Sequence, residues 1–304
     1  MTDRTKGNFA LLIAALVWGS GFIAQKLGMA YIEPFTFNGS RQFIAGIVLI
    51  PYALWVTRKS GAFSRSQHRA EVVDRRRRQL LKASLICGLL TYIATSLQQI
   101  GLVTVSAGKS GFITAIYIVL VPLVGLLFGE RSSLKLWFCV FLAMAGFALM
   151  SLQLDGSGIT AGDLLTLLSA FFYALQIISI SHFVTRNNAI QLATLQMLIS
   201  GILGLITMAL FESPDRVSYM ASLAPLLYSA LIPTAIGFTL QIVGQRYTDP
   251  TVASLIMSLE AVFALLLGAL FLHERMILRE QLGCIIIFAA TILAQLPGAD
   301  EQER

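Results

Sequence analysis

Apolar side chains along this chain fall into long runs, each closed by a few polar or charged residues, and ten such runs can be counted. They lie near 9–27, 35–57, 83–103, 108–129, 134–154, 164–184, 189–211, 221–243, 251–272 and 277–296. Runs of about 20 residues match an α-helix crossing a hydrocarbon core roughly 30 Å thick. Inside such a core the backbone has no water to bond, so a helix that satisfies its own N–H and C=O groups is the structure these runs predict. The pattern predicts an all-α integral membrane protein with ten transmembrane helices. Nine stays open, because Arg41 and Arg279 stand near the starts of the second and tenth runs and weaken them. The first run is a full span containing Trp18 and ending at Gln25-Lys26, unlike the short apolar core and cleavage site of a secretory leader, so it reads as a retained helix.

Composition agrees with this pattern. A soluble domain is about 45–50% apolar and about 25% charged, whereas this chain is 56% hydrophobic and 12% charged, with a mean hydropathy of +0.77. Its net charge of +6 does not point to nucleic acid, because the excess sits in one segment, 58–82: Arg58, Lys59, Arg65, Arg69, Arg75 to Arg78 and Lys82. Short loops rich in Lys and Arg stay cytoplasmic and orient the chain; contact with anionic lipid heads is the other reading. With that loop inside, strict alternation puts sixteen of the 22 basic residues inside, and both termini with them. The expected location is the plasma (inner) membrane, multi-pass, with cytoplasmic termini. Residues 60–79 read either as a short interfacial helix or as disordered. Cys87, Cys139 and Cys284 each lie within an apolar run with no ligand spacing, as packing or lipid-facing residues.

A repeat runs through the chain at a spacing of about 143 residues: LQQIGLVTVSAGKSGFI (97–113) resembles LQIVGQRYTDPTVASLI (240–256), and GLLFGER (125–131) resembles GALFLHER (268–275). Two units follow, 1–154 and 155–304. Five spans in each is an odd number, so the second unit stands upside down relative to the first. Inverted repeats of this kind build secondary transporters, whose midplane site lies where the two repeats meet and is opened to each side in turn by rocking.

Four short motifs stand in order along the chain: Trp18-Gly19-Ser20, Phe22 and Lys26 in LVWGSGFIAQKLG; an aromatic, Arg41, Phe43 and terminal Pro51 in FTFNGSRQFIAGIVLIP; and the turns Gly129-Glu130-Arg131 and His273-Glu274-Arg275. With the duplicated halves, this set resembles a known family, the EamA type of the drug/metabolite transporter superfamily: the first is similar to its opening motif, the second to its second span, and the last two to its turns after spans four and nine. The chain departs from the family pattern where Glu260-Ala261 replaces an acidic residue followed by proline, and where His273 replaces glycine. The resemblance implies ten helices, cytoplasmic termini, and movement of a small metabolite, commonly outward and often against protons.

Ionisable groups within a span are costly and mark candidate sites. Glu260, about ten residues into its run, lies roughly 15 Å deep at 1.5 Å per residue, near the midplane. Desolvation there disfavours a charged carboxylate, which suits proton coupling or an ammonium ligand; a neutral, hydrogen-bonded structural role is the competing reading. Its repeat mate is Tyr117, which offers a hydroxyl and a ring face to a ligand or simply packs. Gln98 and Gln241 are also mates, and with Gln25 and Gln176 they either form a polar pocket or join helices. Trp18 is mid-span and needs an indole partner or a cavity. Arg41, Lys26 and Lys109 lie near outer helix ends, where they snorkel or, for Arg41 and Lys109 with Asn38, line an outer vestibule.

The tripeptide Gly108-Lys109-Ser110 looks like the end of a nucleotide-binding phosphate loop, but that loop needs glycine five residues before its last glycine, and Val103 stands there. The matching stretch YTDPTVASLI has no lysine. His68, His182 and His273 have no ligand spacing, so no metal or other cofactor is expected, and no catalytic set points to an enzyme. The expectation is a secondary active transporter, an exporter of a small polar or amphipathic metabolite such as an amino acid, with a small-molecule substrate and the lipid bilayer as partners. It needs no ATPase partner and works as a monomer or homodimer. The alternative is a membrane-embedded enzyme acting on lipid, or a non-transporting membrane receptor.

Overall fold

A computed structural model describes residues 2–59, 67–105, 107–127, 129, 133–151, 159–271 and 278–296. All regular structure among them is helical: α1 (Asp3–Gly28), α2 (Pro34–Lys59), α3 (Gln67–Thr104), α4 (Ala107–Ala115), α5 (Tyr117–Leu127), α6 (Leu134–Ser151), α7 (Ala161–Val184) and α8 (Ala189–Phe211). The short α9 (Arg216–Ala221) and α10 (Leu223–Ser229) lead through a π-helical stretch, Ala230–Gly237, into α11 (Phe238–Gln245), then α12 (Pro250–Met257), α13 (Leu259–Phe271) and α14 (Leu278–Gln295). Among the described residues eight segments are long and apolar enough to cross a membrane, and two apolar helices, Leu134–Leu149 and Gln281–Gln295, are shorter. The second run, expected to be weak, is among the eight. The fifth run, 134–154, continues past Ser151 into residues outside the described ones.

Distribution of side chains fits lipid as the outer solvent. Leu127, Leu134, Phe138, Phe141, Ile206 and Leu210 face outward, while the interior holds Thr36, Asn38, Arg41, Gln42, Gln98, Gln176, Gln241 and Glu260. A bundle whose polar groups are inside and whose exposed faces are apolar is built to surround something polar. Cys87, Cys139 and Cys284 are all buried, which selects packing over lipid exposure.

Helix starts follow local chemistry. Thr160 and Asp163 form a reciprocal capping box at α7, Asn188 caps α8 by accepting from Ile190 and Gln191 N–H, and Asp249 caps α12 with Pro250 at its first position. Segment 67–82 is helical and continuous with the third span. At 38 residues and 1.5 Å per residue, α3 is longer than a hydrocarbon core of about 30 Å, so its basic start extends beyond it. Within that start Arg78 pairs with Asp74 one turn back at 2.9 Å. Residues 60–66, the Glu130-Arg131 turn and the His273–Arg275 turn lie outside the described residues.

The main packing partners are α2 with α8, α3 with α7 and α8, α6 with α14, and α1 with α13 and α11. Glycine permits two of the closest crossings. A Cβ on Gly7 would lie 2.9 Å from the Gly244 carbonyl oxygen where α1 meets α11, and one on Gly101 would lie 2.9 Å from the Gly162 carbonyl oxygen where α3 meets α7. Three predicted single spans are interrupted: the fourth at Ile116, the eighth by the π-helical stretch around Pro233, and the ninth at Ser258. All three interruptions border the same interior space.

Candidate functional site

That space is a cavity of about 40 Å³ lined by side chains from α1, α2, α3, α4, α5, α7, the π-helical stretch, α11, α12 and α13. A single water needs roughly 10–15 Å³ on this measure, so this conformation holds a few waters rather than a metabolite.

Six of the seven expected pocket residues meet on its wall: Glu260, Tyr117, Trp18, Gln98, Gln241 and Gln25. Interruption of the helix puts Tyr117 first in α5 and Glu260 second in α13, so both sit at the starts of half-helices, the arrangement by which discontinuous spans form midplane sites. The two residues interact electrostatically, yet the Tyr117 hydroxyl has no hydrogen bond of good geometry. The Gln25 Oε1 is likewise buried without a partner. Unpaired polar atoms beside a cavity are what a water or ligand would satisfy.

Trp18 has both things its mid-span position demands. Its indole N–H donates to the Pro233 carbonyl at 2.8 Å, and its ring packs edge-on against Phe238 at 5.1 Å while facing the cavity. Where the π-helical stretch ends, the Phe238 N–H bonds the Thr234 carbonyl, and a change of register of this kind frees a preceding carbonyl from the ladder, which is how a backbone oxygen in mid-membrane can accept from a side chain. Gln98 donates to Thr114 Oγ1 at 2.9 Å and accepts from the Tyr173 hydroxyl at 3.0 Å. Gln176 does not reach the cavity. It exchanges two amide hydrogen bonds with Gln241, at 3.3 and 3.1 Å, and so fixes that side chain from behind.

The three residues expected at an outer vestibule are placed differently. Arg41 is only 3% exposed and forms part of the cavity wall, so it neither snorkels nor lies at an open mouth. Its Nε and Nη2 donate to Asn38 Oδ1 at 3.2 and 3.0 Å, and Nη1 lies 3.5 Å from Thr234 Oγ1. Asn38 is buried behind it, donating to Thr95 and Ser96 hydroxyls. Lys109 is not a lone cation: it pairs with Asp163 Oδ2 at 2.9 Å, joining the start of α4 to the capping box of α7. Nearby, Lys26 donates to the Leu102 and Val105 carbonyls at the end of α3. At the opposite end of the bundle a neutral cluster does the joining, with Asn8 bonded to Thr248 and Gln295.

Sequence reasoning missed Tyr173, Ile177, Thr114, Phe22, Met257, Pro233 and Phe238 on the wall. Tyr173 was within reach, because it stands about 155 residues after Trp18, as Ile177 does after Phe22. Among the described residues no group of three or more His, Cys, Asp or Glu converges to hold a metal.

The model of the EamA-like transporter family matches the chain twice, over residues 5–152 and 160–296. Among curated relatives, an uncharacterized transporter of Archaeoglobus fulgidus is 29% identical over 298 residues, covering 96% of this chain and 87% of the relative. The uncharacterized transporter YvbV of Bacillus subtilis is 27% identical, covering 96% and 93%, and the uncharacterized inner membrane transporter YedA of Escherichia coli is 25% identical, covering 94% and 90%. A solved crystal structure matches with a TM-score of 0.73 at 18% identity, covering 96% of this chain and 97% of that one, a likeness of fold. Two family matches that together span nearly the whole chain, over a bundle of membrane-crossing helices, establish that it belongs to the EamA-like transporter family.

Proposed function

We propose that this membrane transporter is a secondary active carrier of the inner membrane. It moves a small polar or amphipathic metabolite, such as an amino acid, outward by alternating access, with Glu260 as the group that takes up a proton or an amine. The observation that carries this reading is the make-up of the central cavity. Ten of its lining residues form five pairs at repeat spacing: Gln98/Gln241, Thr114/Met257 and Tyr117/Glu260 about 143 apart, and Trp18/Tyr173 and Phe22/Ile177 about 155 apart. A site whose wall is drawn equally from two halves can be exposed by either half as they rock.

Packing supports ten spans in two inverted units, 1–154 and 155–304. α1 packs on α11 and α13, and the equivalent helix of the other half, α7, packs on α3, α4 and α5; α2 packs on its mate α8, and α6 on its mate α14. The Gly7–Gly244 and Gly101–Gly162 crossings are the same contact with the halves exchanged. The two ends then act as alternate closures, Lys109–Asp163 and Lys26 on one side, Asn8, Thr248 and Gln295 on the other. The basic start of α3 supports a cytoplasmic position for that second end and for both termini.

The test is reconstitution. Purified protein in liposomes preloaded with unlabelled amino acids should accumulate the labelled compound by counterflow, and substrate should raise its melting temperature in detergent. Stabilisation by lipids alone, with no counterflow, would overturn the reading in favour of a lipid-acting protein.

A further inference from the structure

Two ionisable groups of opposite type, Arg41 and Glu260, face the central cavity. Neither takes part in any of the ion pairs seen among the described residues, such as Lys6–Asp3, Arg78–Asp74 and Lys109–Asp163. A guanidinium has five N–H donors and is never deprotonated in a protein. Arg41 directs three of them at neutral oxygens, and the contact with Thr234 is at the limit of a hydrogen bond. A buried charge of this kind is costly unless an opposite charge joins it, and Arg41 lines the cavity. Asn38, itself tied to Thr95 and Ser96, holds the fork in one orientation. A pre-oriented, uncompensated guanidinium in a mostly apolar wall is a receptor for a carboxylate.

Glu260 supplies the complement. Its carboxyl borders the same cavity together with Trp18, Tyr117 and Tyr173, whose ring faces favour a cation. Arg41 and Glu260 are the only lining residues of charged type, so nothing in the wall would pair a third charge on the ligand. The two also fall where the repeat is broken: the mate of Glu260 is Tyr117, and the residue about 155 after Arg41 is Gln196, off the cavity. The repeated residues give the cavity its shape, and the unmatched ones give it polarity and direction.

We propose that Arg41 is the carboxylate receptor of the cavity and that, with Glu260 taking the ammonium, the site selects a zwitterionic α-amino acid with an uncharged side chain. This rests on the cavity being the transport site and adds to it which ligand charges are read and by which residue.

The experiment uses the full-length protein and the standard L-amino acids in thermal-shift binding. The neutral amino acid that binds best is then compared with its carboxamide, which lacks the carboxylate, and with its deaminated acid, which lacks the ammonium. Wild type should bind each analogue about tenfold or more weakly, the loss of one charge-assisted contact, and should bind lysine and glutamate less well than neutral amino acids. Arg41→Gln should bind acid and carboxamide alike, with retained carboxamide binding as the control for folding, and Arg41→Lys should restore part of the preference. Carboxamide binding equal to the amino acid in wild type, tightest binding by a doubly charged amino acid, or no binding by any of them overturns the proposal. Counterflow of the same compounds separates it from the transport reading. Discrimination in binding without flux refutes transport and leaves the receptor standing; flux indifferent to the carboxylate and to Arg41→Gln refutes the receptor and leaves transport standing.

Discussion

In the proposed inverted repeat the fourth and ninth spans are mates, and they are interrupted by different chemistry. The fourth breaks at Ile116 and resumes with Tyr117, and Pro122 within α5 cannot bond the Ile118 carbonyl. The ninth breaks at Ser258 and resumes at Leu259-Glu260 without any proline. There the Ser258 hydroxyl donates to the Leu255 carbonyl at 2.8 Å and Thr291 approaches the same oxygen at 3.4 Å, which draws it off the helical ladder. The family-like proline absent after Glu260 is therefore not what interrupts this helix. A shared interruption brings both mates to the cavity wall; only the side chain then distinguishes a phenol from a carboxyl.

The largest effect is expected from removing that distinction. Glu260→Gln keeps the size and removes the ionisable group, so flux in proteoliposomes should lose its dependence on pH from about pH 5 to about pH 8, while Tyr117→Phe should keep the wild-type profile. An unchanged profile in Glu260→Gln would show that the carboxyl is not the coupling group and that the asymmetry of the two spans serves another purpose.

Next in size is the packing behind each mate. Gly19 of α1 lies against α13, where a Cβ would come 2.7 Å from the Glu260 carbonyl oxygen and 2.8 Å from Ala264 N, both backbone atoms that cannot swing aside. About 155 residues on, in α7, stands Ala174, fully buried in the core that contains Tyr117. Gly19→Ala should therefore destabilise by about 1–3 kcal/mol through overpacking and displace Glu260, lowering flux as well. Ala174→Gly should cost only about 0.5–1 kcal/mol from helix propensity. Thermal melts in detergent compare the two, and equal costs would mean that the span-nine crossing is looser than its geometry shows.

Much of this was legible in the sequence because lipid demands contiguous apolar helices, so among the described residues the apolar runs fall on helices, continuous or interrupted. Glu260, Tyr117, Gln98 and Gln241 were legible through one repeat spacing. Tyr173 was within reach only through a second spacing, because the spacing changes from about 155 in the first two spans to about 143 beyond them. The difference is the basic segment before the third span, present in the first half alone. Arg41 was misplaced for another reason: distance from a helix end fixes depth but not which face the side chain takes. Its inward turn depends on Asn38 and Thr234, the latter supplied by the π-helical stretch nearly two hundred residues later.

A third contrast lies at the mouths of the two spans. α4 begins with Lys109 paired across to Asp163 of α7, whereas α12 follows Asp249, whose carboxylate caps its own helix by accepting from the Thr251 and Val252 N–H groups. The Lys109 side chain is 41% exposed, so screening limits the pair to about 0–1 kcal/mol. Asp163 would keep the Thr160 N–H without it. Lys109→Gln should thus lower the melting temperature slightly, and the difference from wild type should vanish as salt rises from about 0.05 M to about 1 M. If one end of the bundle is held by charge and the other by the neutral Asn8 cluster, high salt should also speed flux in wild type but not in Lys109→Gln. Slower flux in the variant at every salt concentration, with stability unchanged, would instead make Lys109 part of the ligand's path, and the two mouths would then differ in what they bind rather than in how they close.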